Sequence, residues 1–315
     1  MTTLVRLLPL LSAVALAANP KTPTAAEVPK KPMVLGIAQI YGDEPAKKAK
    51  ALIEPYLSTA FGSPLTVQIF GSTDELSAAL AEGKVHMAWI TPLAFVQATQ
   101  KSADVVGLMK AMRQGGGLTY RAAFIVKKDS PLKSLADLKG KKVAWVSKSS
   151  TSGYLFAREL IRKEGENPDT YFSSETFAGD HPSVCKAVRE GKADVGATFA
   201  AEPGAGKALV PNGCEDAGPV SDFTVVASSK DLPNEVIAAG PAFDMRRQNE
   251  VTVAFAKMSK NDQGKAVLKD GFRVEAWAIA VDGDFIPVQE LLKPKAAAPP
   301  AEAPVKQNNT PKKSK

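Results

Sequence analysis

The chain has 315 residues, 44% of them hydrophobic and 23% charged, which suits about two globular domains and excludes full disorder, a collagen repeat and a disulfide-rich miniprotein. Its net charge of +7 belongs to the ends: residues 1–18 carry +1, residues 19–32 carry +2 and residues 293–315 carry +5, so residues 33–292 carry −1. A nearly neutral core lacks the clustered positive face that nucleic-acid binding needs.

The first eighteen residues read as a secretory signal peptide. Arg6 precedes a short apolar run, and Ala15-Leu16-Ala17 gives a small-x-small cleavage pattern. The run is too short to span a bilayer, and no Cys follows it to carry a lipid, so the expected location is periplasmic. Residues 19–32 form a Pro-, Ala- and Lys-rich linker with too few apolar groups to order it. A strand is expected over 33–40, followed by the open loop Tyr41-Gly42-Asp43. An amphipathic helix over 44–57 then places Ala51, Leu52, Ile53 and Leu57 on its apolar side. The next strand is 65–70. Ser72-Thr73-Asp74-Glu75 opens a helix with a polar cap and acids in its first turn, closing at Gly83 before strand 85–90. Further strands are expected over 122–128, 142–147, 193–198 and 223–229. Alternation of this kind predicts an α/β fold with largely parallel sheets. A helix, Glu-Gly-Lys and a short strand recur at 79–88 and 187–197, each Gly placed as a C-cap. Residues 293–315 read as a disordered Lys/Pro/Ala-rich tail. Cys185 and Cys214 lack zinc-site spacing; in an exported chain they either pair or remain two thiols.

The segment 148–165 is the most informative. Strand 142–147 runs into Ser149, Ser150, Thr151 and Ser152, then Gly153 and a helix. A hydroxyl-rich turn at a helix start offers free N–H groups, hydroxyls and the positive end of the helix dipole, a set that holds an oxyanion without lysine. An ordinary N-cap needs one hydroxyl, and this turn has four. About thirty residues on, His181 follows Gly179 and Asp180 at another helix start, on the side of a parallel sheet where ligands collect.

These stretches resemble one known family. AWITPLAFV (88–96), the run 120–146, SSTSGY (149–154), FAGDHPSVCKAVREGKADVGAT (177–198) and LPNEV (232–236) occur in the order found in the phosphate/phosphite/phosphonate-binding proteins of ABC importers, which are type II periplasmic binding proteins. The resemblance implies two lobes, each a mostly parallel sheet flanked by helices, with ligand clamped in the cleft between them. It implies residues 33–121 and 223–292 for lobe 1 and 122–222 for lobe 2. Ser150, Thr151, Ser152 and His181 then hold the anion from lobe 2. Lobe 1 adds Thr73 and Thr91; Phe95 stands where relatives often have Tyr, and Tyr41 and Tyr120 are placed to compensate. A pocket carboxylate falls at Glu235, facing either a protonated oxyanion or a substrate amine. The implied partners are a small oxyanion and, transiently, an ABC permease, with the chain a monomer and no cofactor or metal.

Two other functions fit parts of the sequence. A serine hydrolase needs a base and a nucleophile elbow; the only histidines are His86, in a strand pattern, and His181, and no Gly-x-Ser-x-Gly occurs. A sensory or adaptor protein could keep the same fold and signal to a membrane partner through the basic tail.

Overall fold

Strand β1 (Met33–Ala38) lies between β2 (Leu65–Phe70) and β3 (Met87–Ile90), all three parallel. They are seen in a computed structural model that describes residues 32–113, 117–204 and 206–293. The expected signal peptide, and all but one residue each of the linker and the tail, lie outside the described residues. Helix α1 (Asp43–Phe61) connects β1 to β2, α2 (Thr73–Ala81) connects β2 to β3, and α3 (Pro92–Lys101) follows β3. Asp43 and Glu44 sit in the first turn of α1, where they oppose its positive dipole end. The helix buries Ala46, Ala49, Ile53 and Leu57 at helical spacing. It runs four residues past its expected end and stops at Gly62, whose φ of 58° suits a residue without a Cβ.

The other half of this sheet is antiparallel. Strand β4 (Val106–Met112) and β11 (Val236–Ala239) pair with each other; β11 also pairs with β3, and β12 (Ala276–Ile279) pairs with β4. Alternation along β11 shows why the sheet is covered on both faces. Ile237 and Ala239 enter one core with α1 and α6 (Met245–Lys257), while Val236 and Ala238 enter a second core with α2, α3 and α8 (Ile286–Leu292). The short α7 (Asp262–Ala266) lies between the last two of these helices in sequence.

The second sheet is built alike. Strand β6 (Lys142–Trp145) is parallel to β7 (Ser174–Phe177) and β8 (Val195–Ala200). Strand β5 (Thr119–Lys127) runs antiparallel to β8, to β9 (Phe223–Ser228) and to the two-residue β10 (Leu232–Pro233). Phe124, Val143 and Trp145 pack on one face with Ala157 and Ile161 of α4 (Phe156–Lys163). Ile125, Ala144 and Val146 pack on the other with Val184 and Val188 of α5 (His181–Arg189).

Two expectations need correction. Each sheet is mixed rather than mostly parallel: β1 to β3 and β6 to β8 form the parallel halves, and the rest is antiparallel. The lobe boundaries also move. Strand β9 was expected to open the return into lobe 1, yet Thr224 to Ser228 pair with Ala123 to Val126 in the second sheet, and β5 begins at Thr119 rather than 122. The two crossovers therefore fall between Met112 and Thr119 and between Pro233 and Val236. Strand–helix alternation indicates that a strand exists, not which sheet receives its hydrogen bonds.

Cys185 of α5 and Cys214 of the turn Asn212–Ala217 form a disulfide, which resolves the alternative left open by the sequence. Among the described residues, no helix is long and apolar enough to cross a membrane.

Candidate functional site

Ligand groups on open α/β sheets collect beyond the carboxyl ends of parallel strands. Here those ends come from both sheets and meet in one cleft of about 1740 Å³. Tyr41 follows β1, Thr73 follows β2 and Thr91 follows β3. Opposite them, Ser150, Thr151 and Ser152 follow β6 and His181 follows β7. Tyr120 of β5 and Glu235 of the second crossover complete the lining, so all nine residues singled out from the sequence face one cavity.

The hydroxyl-rich turn has a defined local geometry. Residues Thr151–Leu155 form a π-helical turn, wider than an α-helical one, that leads into α4. Ser150 is its N-cap, and the Ser150 hydroxyl accepts from the Gly153 N–H at 3.0 Å. That bond uses a lone pair of the hydroxyl and leaves its O–H free to donate into the cleft. The first helical N–H groups have no acceptor within a helix, which leaves those of the cleft-lining Thr151 and Ser152 available. Gly153 is required by packing. A Cβ there would lie 2.8 Å from Val146 Cβ and 2.9 Å from Ser150 Oγ.

Several buried polar atoms lack partners. Thr151 is 4% exposed, and its buried hydroxyl has no hydrogen-bond partner, although Tyr120 is close enough to be influenced by it. Across the cleft, Thr91 is the N-cap of α3 yet makes no capping bond, and its buried hydroxyl is also unpartnered. Thr73 is the half-buried first residue of α2; Ser72 caps that helix instead, accepting from the Glu75 N–H at 3.2 Å. Phe95 does not reach the cleft and stacks on Phe285 in the core at 4.6 Å.

His181 is the first residue of α5, buried, with Nδ1 2.9 Å from Thr198 Oγ1 and its ring edge-on to Phe199. Burial lowers its pKa to about 4, against opposing pulls from Glu235 and Asp180. Burial raises the Tyr41 hydroxyl, chiefly opposed by Arg113, and raises Tyr120, where Glu235 adds to the effect. At neutral pH these three side chains are uncharged donors.

The sequence reading missed Arg113. It opens the first crossover, directly after β4, and its Nη2 lies 2.6 Å from Glu235 Oε2 on the second crossover. The same nitrogen is 3.4 Å from the Tyr41 hydroxyl, and Nη1 donates to the Arg273 carbonyl at 2.5 Å. Glu235 therefore lines the cleft as half of an ion pair, not as the free carboxylate expected. Asn234 beside it is 1% exposed and donates to the carbonyls of Ala111 and Gly117, each at 3.0 Å, tying the two crossovers together. The available signal was the run Arg113-Gln114-Gly115-Gly116-Gly117, where a charged residue abuts a glycine stretch able to change direction between lobes. Among the described residues, no cluster of His, Cys, Asp and Glu is arranged to hold a metal.

Two mixed sheets sharing a cleft, joined by two adjacent crossovers, define a two-lobed type II periplasmic binding protein fold. Solved structures agree. One is the binding component of an ABC phosphonate transporter from Pseudomonas aeruginosa, with TM-score 0.70 and 20% identity over 82% of this chain and 85% of that one. Another is PhnD1 from Prochlorococcus marinus in complex with methylphosphonate, with TM-score 0.69 and 17% identity over 83% and 97%. The family described as "ABC transporter, phosphonate, periplasmic substrate-binding protein" matches residues 38–285, and the chain belongs to it. A curated relative, the phosphate-import protein PhnD of Mycolicibacterium smegmatis, is 28% identical over 183 residues; that match spans 56% of this chain and 56% of the relative.

Proposed function

We propose that the chain is exported to the periplasm, captures a small tetrahedral phosphorus oxyanion (phosphate, phosphite or a phosphonate) in the interlobe cleft, and delivers it to an ABC permease without chemical change. The observation that carries this is the pair of buried, unpartnered hydroxyls, Thr151 from one lobe and Thr91 from the other, lining one cavity. Leaving a buried hydroxyl unpaired costs roughly 1–3 kcal/mol, so the site is arranged for an acceptor that both lobes can reach.

In this reading the N–H groups and hydroxyls of Thr151 and Ser152 hold two oxygens from lobe 2. With Thr198 donating to Nδ1, His181 presents Nε2–H to the same anion. Tyr120 of β5 adds a donor from the same lobe, and Thr73, Thr91 and Tyr41 close on the anion from the other side. The ligand stabilises the closed arrangement because only that arrangement satisfies both sets of donors.

The test is thermal and calorimetric titration of the full chain with phosphate, phosphite, methylphosphonate and sulfate. A phosphorus oxyanion at 100 times its dissociation constant should add about 2.7 kcal/mol of stability. No response to any of the three phosphorus anions would overturn the ligand class. Labelled-ligand uptake in cells with and without the protein tests delivery.

A further inference from the structure

We infer that Arg113 sets the ligand's substituent class: by holding Glu235, it closes the site to phosphonates bearing an ammonium group and selects ligands whose non-phosphoryl end is uncharged. The inference rests on the proposed phosphorus-oxyanion reading and deepens it.

The charged side chains around the anion-holding groups are satisfied by one another. Glu235 influences Tyr41, Tyr120 and His181 electrostatically, which puts its charge among the ligand-facing groups. Such a carboxylate would be the natural partner for a ligand amine. Its Oε2, however, is 2.6 Å from Arg113, and both side chains are largely buried, at 18% and 13% exposure. Arg113 is itself fixed by the Arg273 carbonyl and the Tyr41 hydroxyl. The second nearby cation, Arg273, stacks on the Tyr41 ring at 4.5 Å and pairs with Asp216. The charges therefore cancel in two local pairs. An incoming ammonium would lose its water and meet a carboxylate already neutralised, with a guanidinium behind it. An incoming carboxylate would meet an arginine already neutralised. A hydrogen, hydroxyl or methyl substituent suffers neither loss.

The pair also shapes Tyr41. Because the Tyr41 hydroxyl lies at an arginine donor and keeps its proton, its own O–H is left to point toward the ligand. Arg113 thus supports one anion donor while cancelling one anion repeller.

The arrangement makes opposite predictions for its two halves. Calorimetry on the wild-type chain, Arg113→Gln and Glu235→Gln would use methylphosphonate, 2-aminoethylphosphonate and phosphonoacetate as probes. The wild type should prefer methylphosphonate to both charged analogues by about tenfold or more. Arg113→Gln releases Glu235 and should raise the aminoethyl-to-methyl affinity ratio at least tenfold. Glu235→Gln keeps an acceptor for Arg113, so the fold is retained, and it should raise the phosphonoacetate-to-methyl ratio instead. If Arg113→Gln fails to fold, the wild-type ratios and Glu235→Gln still decide. Wild-type binding of the aminoethyl ligand as tightly as the methyl one, or unmoved ratios in a folded variant, overturns the role of Arg113. If the wild type binds none of the three probes or phosphate, the oxyanion reading itself has failed.

Discussion

The two lobes contribute to the cleft in different ways. Lobe 2 supplies a preformed anchor: a capped turn, free N–H groups at a helix start, and a buried imidazole held by Thr198. These groups lie close in sequence and are fixed by backbone geometry. Lobe 1 supplies isolated side chains from three strand ends, Tyr41, Thr73 and Thr91, with the Arg113–Glu235 pair at the crossovers. These are brought together only by the fold. An anchor on one side and adjustable contacts on the other suit a clamp in which ligand settles first on lobe 2 and lobe 1 then closes on it.

The sharpest way to break the comparison is through covalent structure. The chain has two cysteines, and both are in lobe 2. The disulfide joins α5, which begins at His181, to the turn bearing Asp216, across a separation of 29 residues. Loop-closure entropy assigns such a crosslink about 3–4 kcal/mol. Reduction, or Cys185→Ser with Cys214→Ser, should lower lobe 2 stability by about that amount and leave lobe 1 unaffected. Denaturant unfolding followed by hydrogen exchange would show lobe 2 strands opening first. Equal losses in the two lobes would contradict it.

The next effect is read by pH. His181 has a pKa of about 4 in the folded chain, against 6.5 when exposed, because burial disfavours its charge. As pH falls through 6.5 the unfolded chain takes up a proton that the folded chain refuses until about 4. Stability therefore rises with pH across this window and is complete above it. The contribution is at most about 3 kcal/mol, at 1.36 kcal/mol per pH unit. His181→Asn should flatten the stability profile between pH 4 and 6.5; an unchanged slope in the variant would show that other groups set it.

A third pair of changes compares the lobes directly. Thr151→Ala removes a donor that sits beside free N–H groups on the anchor side, and a hydrogen bond to a charged group is worth about 1.5–3 kcal/mol. Affinity should fall roughly ten- to a hundredfold. Thr91→Ala removes a donor engaged only after closure, so part of its contribution already offsets the cost of closing. A loss of about two- to tenfold is expected there, with ligand-free stability unchanged or raised, since Thr91 makes no capping bond and the change removes an unpaired buried hydroxyl. A larger loss for Thr91 than for Thr151 would reverse the order of anchor and clamp.

The same asymmetry explains what could be read from the sequence. Lobe 2's site residues sit in two short runs, 149–153 and 179–181, whose meaning is local: a strand end, hydroxyls, a glycine and a helix. Arg113 and Glu235 are 122 positions apart, and no pattern in either neighbourhood announces a pairing. For that reason Glu235 is expected to face a protonated oxyanion or a substrate amine, whereas it lines the cleft paired with Arg113. Strands β11 and β12 are four-residue apolar runs, Val-Ile-Ala-Ala and Ala-Trp-Ala-Ile, too short for periodicity to separate strand from buried helix. Their antiparallel pairing, and that of β9, comes from sheet partners far away in sequence, which is why the sheets were expected to be mostly parallel.

The smallest effect lies where the lobes touch at the cleft mouth. Arg273 of lobe 1 pairs with both carboxylate oxygens of Asp216 in lobe 2. The pair is partly exposed, at 28% and 39%, so its net contribution falls in the range of about 0.2–1 kcal/mol for solvent-screened pairs. It reaches a ligand donor only through the stacking of Arg273 on the Tyr41 ring, but it spans the two lobes, and its energy therefore biases the closed arrangement over the open one. Asp216→Asn removes the charge at constant size and leaves Arg273 stacked on Tyr41. Ligand affinity should fall no more than about fivefold, through faster release rather than slower capture, because the anchor on lobe 2 is intact. Salt supplies the control. At about 1 M ionic strength the Debye length shrinks to roughly 3 Å, so wild type should lose its advantage and match the variant. A fivefold difference that persists at high salt would mean that Asp216 acts through the packing of its disulfide-held turn, and the electrostatic link between the lobes would have to be abandoned.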